Sequence, residues 1–125
     1  MTKTVESIVE AWLTFQRTPE TAPEWRERRE DALKFSEICA NEPESAWEAI
    51  ITITQRETDD DILGVLAAWP LEDLLSLHGE DFIERVETEA QRDPRFRRVL
   101  EGVWQDRMSD DVWKRVLAAL DRSSQ

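Results

Sequence analysis

The sequence predicts an all-α fold, and three observations predict it. Apolar residues recur at helical spacing almost everywhere. No segment alternates with period two for long. Prolines, serines and aspartates stand just ahead of the apolar series, where helix starts favour them.

The stripes run in order along the chain. Val5, Ile8, Val9, Trp12 and Leu13 make the first, and Trp25, Ala32, Phe35, Ile38 and Cys39 the second. Trp47, Ile50, Ile51 and Thr54 make a third. The β-branched run ITIT at 51–54 lies inside it and is assigned to helix, because β-branching lowers helix propensity only slightly. Ile62, Val65, Leu66 and Trp69 follow, then Leu71, Leu74, Leu75 and His78. Phe82, Ile83, Val86 and Ala90 come next, then Phe96, Val99, Leu100 and Val103. Trp113, Val116, Leu117 and Leu120 close the series. Pro23, Pro43, Pro70 and Pro94 each precede a stripe, where a first-turn proline costs no hydrogen bond. Asp93-Pro94 reads as a cap and first residue. Thr58 followed by Asp59, Asp60 and Asp61 reads as a cap with acids in the first turn, and Ser109-Asp110-Asp111 repeats the device. His78-Gly79 reads as a helix end with glycine in the left-handed region, and Gly102 as a break or a close contact. The expectation is one α-helical domain over residues 1–125. It holds seven or eight short helices, in a compact multi-helix bundle or in HEAT-like stacked pairs. No fixed internal period recurs.

The 125 residues carry 28 acids and 16 bases, net −12. Residues 1–34 hold seven acids and six bases, and residues 82–125 nine of each. Residues 35–81 hold twelve acids and one base, Arg56, so this stretch carries −11. Two readings follow: an acidic face that keeps a small protein dispersed, or a docking face for a basic protein. Direct binding of DNA or RNA by this stretch is disfavoured, because phosphates repel it. No apolar run approaches the ~18 residues a membrane helix needs, and the first residues lack a secretory pattern. With Cys39 the only cysteine, no internal disulfide can form, and a reducing cytoplasm is the expected compartment.

Residues 66–80, LAAWPLEDLLSLHGE, and residues 82–113 contain the pieces PLEDLL-x-x-HG, DPRFR-x-x-L-x-GVW and D-x-VW. These resemble a family of small bacterial helical proteins, a domain of unknown function. The resemblance covers about Asp59–Leu120. It implies a bacterial, cytoplasmic, all-helical protein and carries no activity or catalytic residues with it. The family pattern usually has glycine where this chain has Trp69, which puts a bulky aromatic in a tight inter-helix turn.

Chemistry-bearing residues are few. His78, the only histidine, reads as a cap in the last turn of its helix, where the dipole favours a cation. Cys39 sits at an apolar position and reads as a buried, inert thiol beside Glu37 and Glu42. Asp59, Asp60 and Asp61 follow one another on a helix, about 100° apart, so they cannot converge on one ion. No phosphate-binding glycine loop, HExxH or GxSxG motif occurs. The expectation is therefore no catalytic residue, no metal and no cofactor. Trp12, Trp25, Trp47 and Trp113 fall on apolar stripes, and Trp104 is expected to pack at a helix end. Trp69, just before Pro70 and among acids, reads either as a plug in a helix junction or as an interface anchor. Arg92, Arg95, Arg97 and Arg98 read as surface ion pairs, as braces for the acidic block or as a grip on an acidic partner.

Two functions of different classes fit. The first is a non-catalytic acidic interaction module, such as an immunity or inhibitor protein that blocks a basic protein partner. Its contact residues would be Asp59, Asp60, Asp61, Trp69, Glu72, Asp73, Glu80 and Asp81. The second is a small-molecule-binding or enzymatic domain with a pocket near His78, Glu80 and Asp81. Oligomeric state leaves no mark in the sequence.

Overall fold

The computed structural model describes residues 2–105 and 107–124. Its helices are α1 (Thr2–Gln16), α2 (Trp25–Asn41), α3 (Pro43–Arg56), α4 (Asp60–Leu66), α5 (Glu72–Arg92), α6 (Pro94–Leu100) and α7 (Asp110–Ser124). A π turn over Ala67–Leu71 joins α4 to α5 in one bent rod. Helices α1, α2 and α3 pack on one another, and α5 packs on α2, α3, α6 and α7. One hydrophobic cluster runs from Val5 on α1 to Ala119 on α7. The arrangement is a compact bundle rather than a row of stacked pairs, which would bury its core only between neighbours.

The core is aromatic at its centre. Trp12 is 0% exposed and meets Phe35 edge-on at 6.3 Å and Trp69 at 6.2 Å. Trp47 meets Phe96 at 5.6 Å, tying α3 to α6. The ITIT run is helical as expected. Its threonines bond back along the helix, Thr52 Oγ1 to Glu48 O at 2.8 Å and Thr54 Oγ1 to Ile50 O at 2.9 Å. Thr54 can therefore be buried without an orphaned hydroxyl.

Three boundaries differ from the sequence reading. Pro70 does not open a new helix; it lies buried inside the π turn. A proline inside a helix lacks the N–H for its ladder bond and crowds the preceding turn, and the wider π turn gives its ring room. His78-Gly79 does not end a helix either. His78 takes non-helical angles (φ −136°, ψ 28°), so α5 kinks there and continues. Gly79 has no positive φ. A Cβ on it would lie 3.0 Å from Val112 Cγ1, so this glycine lets α7 approach α5. The third is the cap of α4, which is Asp59 rather than Thr58: its side chain accepts from the backbone N–H of Asp61 and Ile62. Asp93 and Ser109 cap α6 and α7 as expected.

Candidate functional site

The acidic stretch becomes the α4–α5 rod and the helices beside it, and arginines from outside the stretch brace it. Arg98 pairs with Asp60 at 3.0 Å, Arg107 with Asp73 at 3.7 Å, and Arg85 grips Glu44 with two bonds of 2.7 and 2.8 Å. Arg17 pairs with Glu57, and Arg95 donates to the Glu57 carbonyl at 2.6 Å. Arg95 and Arg98 thus serve as internal braces, one of the three readings the sequence allowed. The Arg85 bond holds the Glu44 carboxyl below its usual range. Pairing does not erase the charge. Adding Arg17, Arg85, Arg98 and Arg107 to the stretch still leaves twelve acids against five bases, −7.

The structure distributes the eight candidate residues along the rod in three groups. Asp59, Asp60 and Asp61 stand exposed at its start, Asp59 occupied as a cap and Asp60 by Arg98. Trp69 lies in the π turn, and Glu72 and Asp73 follow it at the start of α5. Glu80 and Asp81 are exposed just past the kink. From Asp60 to Asp81 is roughly 30 Å of helical rise, so the first and third groups are not one patch.

The middle group faces inward. Trp69 is half-buried, its Nε1–H donating to Ser36 Oγ at 2.8 Å, and Ser36 Oγ donates to Asp73 Oδ2 at 3.0 Å. With Trp12 against its ring, Trp69 fills the junction between α1, α2 and the rod. Cys39 lies below, its Sγ 3.5 Å from Pro70 O. Burial first, and then the nearby Asp73 carboxylate, push its thiol up to about 12. The sequence named Glu37 and Glu42 as its charged neighbours, whereas the fold brings Asp73 to it. His78 caps a helix, but not its own: its Nε2 lies 2.8 Å from Ala40 O in the last turn of α2. That carbonyl has no partner within its own helix.

Past the kink, a cleft of about 310 Å³ opens between α5 and the start of α7, lined by His78, Glu80, Asp81, Arg107 and Ser109 among others. Ser76 Oγ is buried at its edge without a hydrogen-bond partner among the described residues. A more apolar groove of about 280 Å³ lies between α1 and α2, beside Ile8 and Phe35. Among the described residues, no group of three or more His, Cys, Asp or Glu side chains could hold a metal ion. No helix among them is long and apolar enough to cross a membrane.

Two residues that matter escaped the sequence reading. Glu57 is only 4% exposed, yet its carboxylate holds Arg17 and accepts from the N–H of Thr58 (3.2 Å) and Asp59 (2.9 Å). One acid among twelve carries no mark of burial in its sequence. Trp104, expected to pack, is 73% exposed. Its neighbour Val103 takes the core seat instead, at 4% exposed.

Fold and site together define a small all-helical module with an acidic, bent central rod. The chain matches the family of unknown function DUF6869 over residues 16–124 and belongs to it. That span is wider than Asp59–Leu120 and takes in α2 and α3, leaving nearly all of α1 outside it. No curated protein and no solved structure matches the chain.

Proposed function

We propose that this chain is a non-catalytic interaction module that docks on a basic protein and blocks it, as an immunity or inhibitor protein does. The observation that supports this most is the charge. The α4–α5 rod and its surroundings keep −7 after the four arginines paired with its carboxylates are counted, and Asp61 near the start of the rod and Glu80 and Asp81 just past its kink lie exposed. A field of one sign speeds encounter with a partner of the other sign and falls off with salt. The structure also narrows the choice of test residues. Reversing Asp59 would remove a cap, whereas Asp61, Glu80 and Asp81 are exposed and outside the bracing pairs described above. The test is capture from host lysate with the wild-type chain and with the triple variant D61K/E80K/D81K, at low and high salt. A stoichiometric basic protein held by the wild type at low salt, released at high salt and lost on the variant supports the reading. Equal capture by both chains contradicts it.

A second reading rests on the cleft at the kink, lined by His78, Glu80, Asp81 and Ser76, whose buried hydroxyl has no hydrogen-bond partner among the described residues. A small polar ligand there would raise the melting temperature. That shift would vanish in Ser76→Leu, and a panel of polar metabolites with no shift on the wild type would count against it.

A further inference from the structure

We infer that Trp104, with the carboxylates beside it, is the point where an arginine side chain of the protein partner is received. This rests on the docking reading above and names the residue that would anchor it. The described residues between α6 and α7 are fixed against the rest of the molecule at several points. Gly102 lies so close to the π turn that a Cβ on it would be 3.0 Å from Ala67 Cβ. Val103 and Met108 are buried on either side of the exposed ring. The Trp104 backbone N–H donates to Glu72 Oε2 at 3.0 Å, and Arg107 reaches Asp73. The backbone around Trp104 is thus held while its indole is left in water. Trp12, Trp25, Trp47, Trp69 and Trp113 are all buried or half-buried, and Trp104 alone among the six tryptophans is exposed. An aromatic presented from a fixed backbone loses little conformational freedom on binding, which is how such residues become anchors.

The surroundings select the guest. Glu72 and Asp73 are bonded to this segment, and Glu101 and Asp106 lie within three residues of Trp104 in sequence, against one base, Arg107, an excess of three acids. An apolar guest would strip water from those carboxylates without balancing their charge. An anionic guest would be repelled. A cation over an indole face is drawn to the ring's quadrupole, and tryptophan is the strongest of the aromatic acceptors. A guanidinium suits the place better than an ammonium, because it stacks flat on the ring and keeps its N–H edge for a carboxylate.

The test uses the full chain with 15N in the tryptophan indoles, the Trp104 signal being assigned by its loss in Trp104→Phe. The probe is the peptide acetyl-Arg-Gly-Arg-amide, and its control carries citrulline, which has the same shape without the charge. The expected result is a saturable shift of the Trp104 signal with the arginine peptide, little shift with citrulline, and binding several-fold weaker in Glu72→Gln. A Trp104 signal that stays still, or moves equally with both peptides, overturns the inference. With a captured partner, Trp104→Ala is expected to weaken binding by at least about tenfold at unchanged melting temperature. If Trp104→Ala binds as the wild type does while D61K/E80K/D81K does not, docking stands and Trp104 is not its anchor. If neither variant changes binding, both readings fall.

Discussion

Trp69 and Trp104 flank the same stretch of the rod and have opposite fates. Trp69 turns inward, where its ring meets Trp12 and its N–H begins the chain of bonds through Ser36 to Asp73. Trp104 is anchored by its backbone to Glu72, the residue before Asp73, and turns its ring out to solvent. One carboxylate of the adjacent pair serves the interior and the other holds the outward loop. In a chain with many acids, the difference between a structural and a displayed tryptophan lies in what the backbone and the N–H are bonded to, and not in the acidity of the neighbourhood.

Several substitutions sharpen or break this contrast. Trp69→Ala removes a junction side chain and a hydrogen bond, and should cost about 2–4 kcal/mol in urea unfolding. Trp104→Ala should change stability by less than about 0.5 kcal/mol, because almost nothing packs on the ring. Equal losses in the two variants would erase the distinction between the tryptophans. The face of α5 turned toward α7 is tested by Gly79→Leu, which forces a side chain into Val112 and should cost about 1–3 kcal/mol. Val112→Ala in the same chain should recover part of that loss.

Among the acids, Asp59→Ala should cost about 1 kcal/mol as a lost cap, while Asp61→Ala stays within about 0.5 kcal/mol. Matching unfolding midpoints for these two variants would contradict the cap assignment.

Cys39 adds a pH-dependent contrast to the inner side. Its thiol is pushed up to about 12 in the folded chain, so folding favours the neutral form. Its contribution to stability is complete below the unfolded thiol's value and is lost as pH rises from there toward about 12. Cys39→Ala should therefore flatten the alkaline loss of stability, and the native thiol should resist a disulfide reagent at pH 8 until the chain unfolds. Rapid native labelling would place Cys39 outside the core. The smallest effect belongs to Glu44. Arg85 lowers its carboxyl, so the pair stabilises above the unfolded carboxylate value and is lost as pH falls through the folded one. On this exposed site, Glu44→Gln should cost less than about 0.5 kcal/mol and only above that range.

The sequence carried the helices well because periodicity and caps are local. Asp93-Pro94, Ser109 and the buried stripes of α1 to α3 act as their spacing implies. It misplaced the joints of the rod, because Pro70 and His78-Gly79 are breaking signals that tertiary packing overrode with a π turn and a kink. The site was half legible. The acidic stretch is plain in composition, and its bracing by Arg98 and Arg95 was one of the options. Which acid of that stretch is buried (Glu57) and which tryptophan is displayed (Trp104) depend on pairings about 30 to 40 residues apart, such as Arg17 with Glu57 and Trp104 with Glu72. Helical periodicity does not encode those pairings.

The most direct test of the docking account is the association rate with the captured partner, measured for the wild type and for D61K/E80K/D81K across a salt series. The account predicts a fast wild-type rate that falls steeply with salt, and a slow variant rate nearly independent of it. Superimposable rate-against-salt curves for the two chains would contradict it.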